Sequence, residues 1–370
     1  MAARRSTRLS AAALKGTGVD NISKPPLPKA TTESKKRKIS TKEDAKHVSN
    51  GVEDVPSTPK KKKVTRILPP VTPTPAAIGL MTLPYSSADI DDSTPPPALN
   101  RLAVPNGTNA PLISPETHRL ISNKHVDQVS PSKKANITST TKNILDDAIA
   151  HLIETEPKLK PIIEKHPCRI FSSEGLAEEI DPFRSLTSGI ISQQVSGAAA
   201  KSIKAKFVSL FNDGDDPELH TFPTPSQICA KAIEDLRPAG LSQRKAEYVH
   251  GLAQKFHSGE LTTELLFSAS YEEVLEELIK VRGLGKWSVE MFACFGLKRM
   301  DVFSTGDLGV QRGMAALMGR DVGKLKSKGG KWKYMSEKEM EEIAEKFKPY
   351  RSVFMWYCWR AEEVDVSTLG

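Results

Sequence analysis

LIKVRGLGKWSVEMFACFGLKRMDVFSTGDLGVQR, running from Leu278 to Arg312, sets a glycine-flanked turn between two helical patterns and a single acid at the start of a third. Just upstream, Ser270 with Glu273 three residues on forms a capping box, and Val274, Leu275, Leu278 and Ile279 then repeat at helical spacing. A first helix is therefore expected from about Tyr271 to Val281. Gly283 and Gly285 bracket Leu284, so two positions are free to take backbone angles closed to other residues while Leu284 turns inward as an anchor. A second helix follows from Lys286 or Trp287 to about Phe295, where Gly296 ends it. The first N–H groups of such a helix lack intrahelical partners, and glycine lets another molecule's backbone approach them. The pattern suits a phosphate held without base readout at Gly283, Gly285, Lys286 and Ser288. It equally describes a plain tight turn between packed helices.

Asp307 follows Gly306 and precedes LGVQRGMAALM, whose Val310, Met314, Leu317 and Met318 share one helical face. Its residue-level reading is an N-cap. A capping carboxylate is also favoured in its ionised form by the helix-terminal N–H groups, so a cap and a chemical role are compatible.

Three stretches together carry a resemblance: Leu278 to Arg312, DPFRSLTSGIISQQVS at 181–196 and GLSQRKAEYVHGLA at 240–253. They resemble, in order and spacing, the helix-hairpin-helix DNA glycosylases, and within them the alkylated-base branch typified by yeast 3-methyladenine DNA glycosylases. The resemblance covers about Lys142 to the C-terminus. It implies an all-α fold of two small helical domains flanking a cleft, with residues 270–296 as the DNA-binding hairpin. It further implies an enzyme of base excision repair that flips alkylated purines out of double-stranded DNA and hydrolyses the N-glycosidic bond, leaving an abasic site.

Site roles follow from the same resemblance. The family's catalytic aspartate matches Asp307 in VFSTGDLGVQR. Breaking the glycosidic bond builds positive charge on the sugar, which a carboxylate in a dry site stabilises; it can also orient or deprotonate the attacking water. The bifunctional members place a nucleophilic lysine where this chain has Trp287, with Lys286 one residue early. One residue rotates a helical side chain by about 100°, so Lys286 does not substitute, and water is the expected nucleophile. Trp287, Met291 and Trp359 are the expected base pocket, an indole stacking on a flipped cationic base, and Trp359 matches the family's tryptophan beside the catalytic acid; Met291 departs from some relatives that carry an aromatic there. Gln193 and Gln194 match the stretch that fills the gap left by the flipped base, and an interhelical or capping glutamine is the plain alternative. In KPYRSVFMWYCWR, Trp356 and Trp359 share a helical face, and core packing is the reading for Phe354 and Trp356.

Cys168, Cys229, Cys294 and Cys358 are scattered, with no CxxC pair, so no metal or iron–sulfur cluster is expected. No cofactor is expected either, although the resemblance allows a monovalent cation on hairpin carbonyls. Reduced thiols fit an intracellular protein.

Charge divides the chain. Residues 1–140 hold 22 Lys+Arg against 11 Asp+Glu, a net of +11, leaving −3 for the remainder of a chain whose total is +8. This segment, rich in Pro, Ser, Thr and Lys and without periodicity, is expected to be a disordered tail, and residues 141–370 the catalytic domain. The DNA grip of the domain is then expected from amides and a few residues such as Lys286, Lys298, Arg299 and Arg312. Lys35, Lys36, Arg37 and Lys38, and Lys60, Lys61, Lys62 and Lys63, look like nuclear import signals, implying an import receptor and a nuclear location. No apolar run approaches the roughly 20 residues needed to cross a membrane. A monomer is expected.

Helical patterns fall at about 142–154, 182–211, 226–236, 242–257, 262–268, 270–281, 287–295, 308–318 and 336–360 with a break at Pro349, and no alternating run suggests a sheet. Two other readings fit the same residues: a damage-binding protein that keeps the fold without the reaction, and a bifunctional glycosylase/lyase that recruits another lysine.

Overall fold

The computed structural model describes residues 100–129 and 139–361, apart from 215, 328, 329, 331 and 333. Both expected import runs lie outside these residues. A two-stranded antiparallel hairpin, β1 (Leu112–Ile113) and β2 (Leu120–Ile121), precedes the helices. Then come α1 (Ile144–Thr155), α2 (Lys160–Lys165), α3 (Ser173–Ala177), α4 (Pro182–Ser192), α5 (Gly197–Ser209), α6 (Pro225–Cys229), α7 (Ile233–Leu236), α8 (Gln243–His257) and α9 (Thr263–Ser268). The hairpin helices are α10 (Tyr271–Ile279) and α11 (Lys286–Met291). They are followed by α12 (Leu308–Leu317), α13 (Val322–Lys326), α14 (Glu337–Glu345) and α15 (Arg351–Cys358). Side-chain caps set many starts: Asp181, Ser196, Ser242, Thr262, Ser270, Asp307 and Ser336 each accept an N–H from three residues on.

The helices bury two apolar cores. One gathers Phe183, Ile190, Phe207, Val249, Leu252 and Leu278 from α4, α5, α8 and α10; the other gathers Leu152, Ile162, Met314, Phe354 and Tyr357 from α1, α2, α12 and α15. The segment from Val289 to Met300 is buried throughout and serves both: Val289, Phe292 and Leu297 face the first core, Met291, Cys294 and Phe295 the second. A helix apolar on all sides belongs inside. Beyond α11 it widens into a π-turn, Phe292–Gly296, with Leu297 N bonded to Phe292 O at 2.9 Å. The all-α, two-lobed expectation is met, with a minor β hairpin added.

Three expectations are corrected. The single helix over 182–211 is broken at Gln193–Ser196: Gln194 takes a left-handed φ of 58° and Ser196 recaps the chain with its hydroxyl on Ala199 N. The tail boundary also moves. Residues 100–129 are part of the fold, because polar groups far apart in sequence hold them there. Arg299 Nη2 donates to Ala269 O at 2.6 Å and to Thr108 Oγ1 at 3.3 Å, Asn109 N and Nδ2 donate to Leu297 O and Lys298 O, and Met300 N donates to Pro105 O. Ala110 and Leu112 join the first core and Ala103 the second. Arg299 and Lys298 are thus buried staples, Lys298 paired with Glu178 at 3.1 Å, rather than part of a DNA grip.

Candidate active site

Three N–H donors converge on Asp307, which is 2 % exposed. Val310 N bonds Oδ1 at 2.9 Å, closing the cap of α12; Trp359 Nε1 bonds Oδ1 at 2.9 Å; Trp287 Nε1 bonds Oδ2 at 2.8 Å. A carboxylate accepts all three, whereas an amide oxygen replaces only one of its two acceptors. The cap reading and the chemical reading of Asp307 therefore describe one arrangement. Burial and the Asp307 charge push the neighbouring Cys358 thiol well above its ordinary range, so this cysteine is a core group.

Each indole arrives from a different element. Trp287 sits in the first turn of α11, half-buried. Trp359 caps α15, and α15 comes close to α12 only because glycines face it: a Cβ on Gly313 would lie 1.8 Å from Cys358 O, and one on Gly309 2.7 Å from Trp359 Cδ1. These two glycines, four residues apart after the acid, are the sequence signal for that close approach, and residue-level reading passed over them.

The pocket assignment is corrected in part. Trp287 and Met291 line a small cavity open to solvent, with Ser185, Leu186, Gly189, Gln193, Leu284, Ser288, Phe292 and Gly296. Trp359 does not reach it. That indole is 5 % exposed, packed on Phe295 with ring centres 5.5 Å apart, and spent on Asp307, so it supports the acid instead of walling the cavity. Trp356 lies partly buried against the second core under the Arg360 guanidinium, as expected for packing.

The hairpin also separates its residues. Gly283 has φ 98°, and a Cβ there would meet the Tyr248 ring at 2.4 Å, so glycine is required twice over. Gly285, at φ −94° and ψ 166°, uses no special angle, contrary to expectation, and a Cβ there would meet nothing within 4 Å. Its smallness answers no need inside the protein; it leaves the surface bare beside the N–H groups of Lys286 and Trp287, which precede the first helical bond, Val289 N to Gly285 O. Leu284 is buried as the anchor. Ser288 lines the cavity, while Lys286 points outward. The two glutamines part company: Gln193 Nε2 donates to Gly283 O at 2.9 Å and is tied to the hairpin, whereas Gln194 stands exposed on the loop between α4 and α5.

The hairpin carbonyls of Leu278, Val281 and Gly283 accept hydrogen bonds from Val281 N, Leu284 N and Gln193 Nε2, each leaving a lone pair free. Among the described residues no cluster of His, Cys, Asp and Glu could hold a metal, and no helix is long and apolar enough to cross a membrane.

Comparison with known proteins gives the family. Residues 187–347 match the model of the HhH-GPD superfamily base excision DNA repair proteins. A DNA-3-methyladenine glycosylase of Saccharomyces cerevisiae is 37 % identical over 242 residues, covering 60 % of this chain and 81 % of that protein. The alkylbase DNA glycosidase-like protein mag2 of Schizosaccharomyces pombe is 29 % identical, covering 57 % and 90 %, and DNA-3-methyladenine glycosylase 1 of the same yeast is 31 % identical, covering 50 % and 75 %. The chain belongs to the HhH-GPD superfamily of base excision DNA repair proteins.

Proposed function

We propose that this chain is a monofunctional DNA glycosylase that flips alkylated purines, of the 3-methyladenine and 7-methylguanine type, out of double-stranded DNA and hydrolyses their N-glycosidic bonds. The observation that carries this reading is the Trp287–Asp307 hydrogen bond. The helix position that would hold a lysine nucleophile holds an indole committed to the acid, so water must add to the sugar.

The duplex backbone docks at Gly283 and Gly285, where the N–H groups of Lys286 and Trp287 and the Lys286 ammonium meet one phosphate. Gln194, exposed beside the cavity-lining Gln193, fills the gap as the damaged nucleotide leaves the stack; flipping costs least for a weakened pair. The cationic base lies against the Trp287 face in the cavity that Met291 also lines. As the C–N bond breaks, its electron pair leaves with the base, which becomes neutral. Asp307, buried and acceptor-only, faces the positive charge that remains on the sugar, and it receives or passes on the proton that the attacking water releases. The enzyme acts as a monomer without a cofactor, and the basic runs at 35–38 and 60–63 direct it to the nucleus through an import receptor.

Purified full-length chain incubated with methylated duplex DNA is expected to release 3-methyladenine on chromatography. Asp307→Asn is expected to lose release by orders of magnitude while binding DNA. Release at the normal rate by that variant rules out Asp307 as the catalytic carboxylate. Borohydride is expected to trap no protein on an abasic duplex; covalent capture would mean a lyase. A fluorescent fusion that stays cytoplasmic would exclude the import signals.

A further inference from the structure

Glu290 is a buried carboxylate that the reaction above does not use. It is 2 % exposed in the apolar run VEMFACFG, and desolvation raises its pKa from the ordinary carboxylate range. A lone acid among core residues is costly unless its oxygens are satisfied. Here Ser304 Oγ, itself fully buried, donates to Oε2 at 2.6 Å, and the exposed Lys286 ammonium lies 3.8 Å from Oε1.

The placement of this bond is informative. Trp287 and Glu290 are three residues apart on α11, so they share a face. Ser304 and Asp307 are three residues apart on the segment entering α12. Trp287 bonds Asp307, and Glu290 bonds Ser304. The two side-chain bonds are therefore two rungs between the hairpin helix and the acid segment, running in opposite chain directions. Other anchors of that segment come from elsewhere: Ser352 Oγ accepts Val302 N at 2.9 Å, Thr305 Oγ1 donates to Glu337 at 2.9 Å, and Gln311 Nε2 donates to Thr305 O at 3.1 Å. Among these side-chain anchors of the described residues, the Glu290 rung is the one that belongs to the helix bringing the Trp287 indole.

We propose that Glu290 is a positioning residue for Asp307: by accepting the Ser304 hydroxyl it fixes the register of α11 against the acid segment, so that the Trp287 indole meets the carboxylate. The proposal rests on Asp307 being the catalytic carboxylate. Without the Glu290 rung the Trp287 bond alone holds that alignment, and misplacement by about 1 Å is enough to cost a catalytic site roughly a hundredfold.

The test is single-turnover release of 7-methylguanine from a duplex, with affinity for an abasic duplex and Tm measured in parallel on the full chain. Glu290→Ala and Ser304→Ala are each expected to slow release at least about tenfold while abasic-duplex affinity changes less than about threefold. The double variant is expected to be no slower than the worse single one, because both remove the same bond. Glu290→Gln, whose carbonyl oxygen still accepts the hydroxyl, is expected to recover release to within about threefold of the parent. Should Glu290→Ala fail to fold, Ser304→Ala, which removes one oxygen, decides alone. Normal release by Ser304→Ala, losses that multiply in the double variant, or a fall in affinity that parallels the rate would overturn the proposal. Activity in Asp307→Asn would instead overturn the reading beneath it.

Discussion

Trp287 Nε1 donates to Asp307 Oδ2 at 2.8 Å, so the first turn of the hairpin's second helix and the cap of α12 are joined by one bond across twenty residues of chain. That bond gives Trp287 two functions that substitution can separate, since its ring lines the cavity while its nitrogen serves the acid.

Trp287→Phe keeps an aromatic wall and deletes the donor. Losing one hydrogen bond to a charged group costs about 1.5–3 kcal/mol, and because the bond holds the carboxylate in place as charge builds on the sugar, release is expected to slow, by roughly tenfold to a hundredfold where that whole amount is felt in the transition state. Affinity for abasic DNA should hold. A rate within twofold of the parent in rapid-quench kinetics would mean that the indole nitrogen is dispensable.

The two hairpin glycines should behave differently. Gly285→Ala places its methyl group in open space and should leave Tm unchanged while weakening DNA binding at the bare hairpin surface. Gly283→Ala strains a left-handed position, at about 1–3 kcal/mol, and drives a carbon into the Tyr248 ring, so its first effect should be on stability. Thermal melts beside fluorescence-anisotropy titrations test both; equal Tm losses would remove the distinction.

Asp181 caps α4 through Arg184 N, and burial lifts its carboxyl to about 6. An acid whose pKa is higher folded than unfolded binds its proton more tightly when folded, so ionising it opposes folding. Its contribution should make the protein less stable as pH rises from about 4 through about 6 and then level off. Asp181→Asn keeps a capping oxygen without the charge. Its Tm advantage over the parent should be present at pH 7 and vanish near pH 4; an advantage independent of pH would contradict the assignment.

Truncation tests the moved boundary. Starting the chain at Asn100 keeps the Arg299, Asn109 and Met300 bonds, whereas starting at Thr141 removes Thr108, Asn109 and the buried Leu112. Burying one such leucine is worth about 1.5–3 kcal/mol. The shorter chain should melt at least about 5 °C lower than the one starting at Asn100. Equal melting temperatures would return residues 100–129 to the tail.

The amino-acid sequence by itself determined what local chemistry can encode. The Ser270–Glu273 capping box, the Asp307 cap, the Leu284 anchor and the left-handed turn at Gly283 each depend on residues within a few positions of one another, and each is present. Only the tertiary structure decided which distant groups share an atom. That Trp359, which the family resemblance sets beside the acid, stays out of the cavity follows from how closely Gly309 and Gly313 let α15 approach α12. That Arg299 is a staple follows from the carbonyl ends of α9 lying beside it. The same holds for Gln193 and Gln194, adjacent and alike, which one left-handed residue and a serine cap send to different places. Caps and turns are short-range hydrogen bonds written in neighbouring residues. The pairing of Glu290 with Ser304 and of Trp287 with Asp307 joins residues 14 and 20 positions apart, on elements whose approach no neighbouring residue encodes.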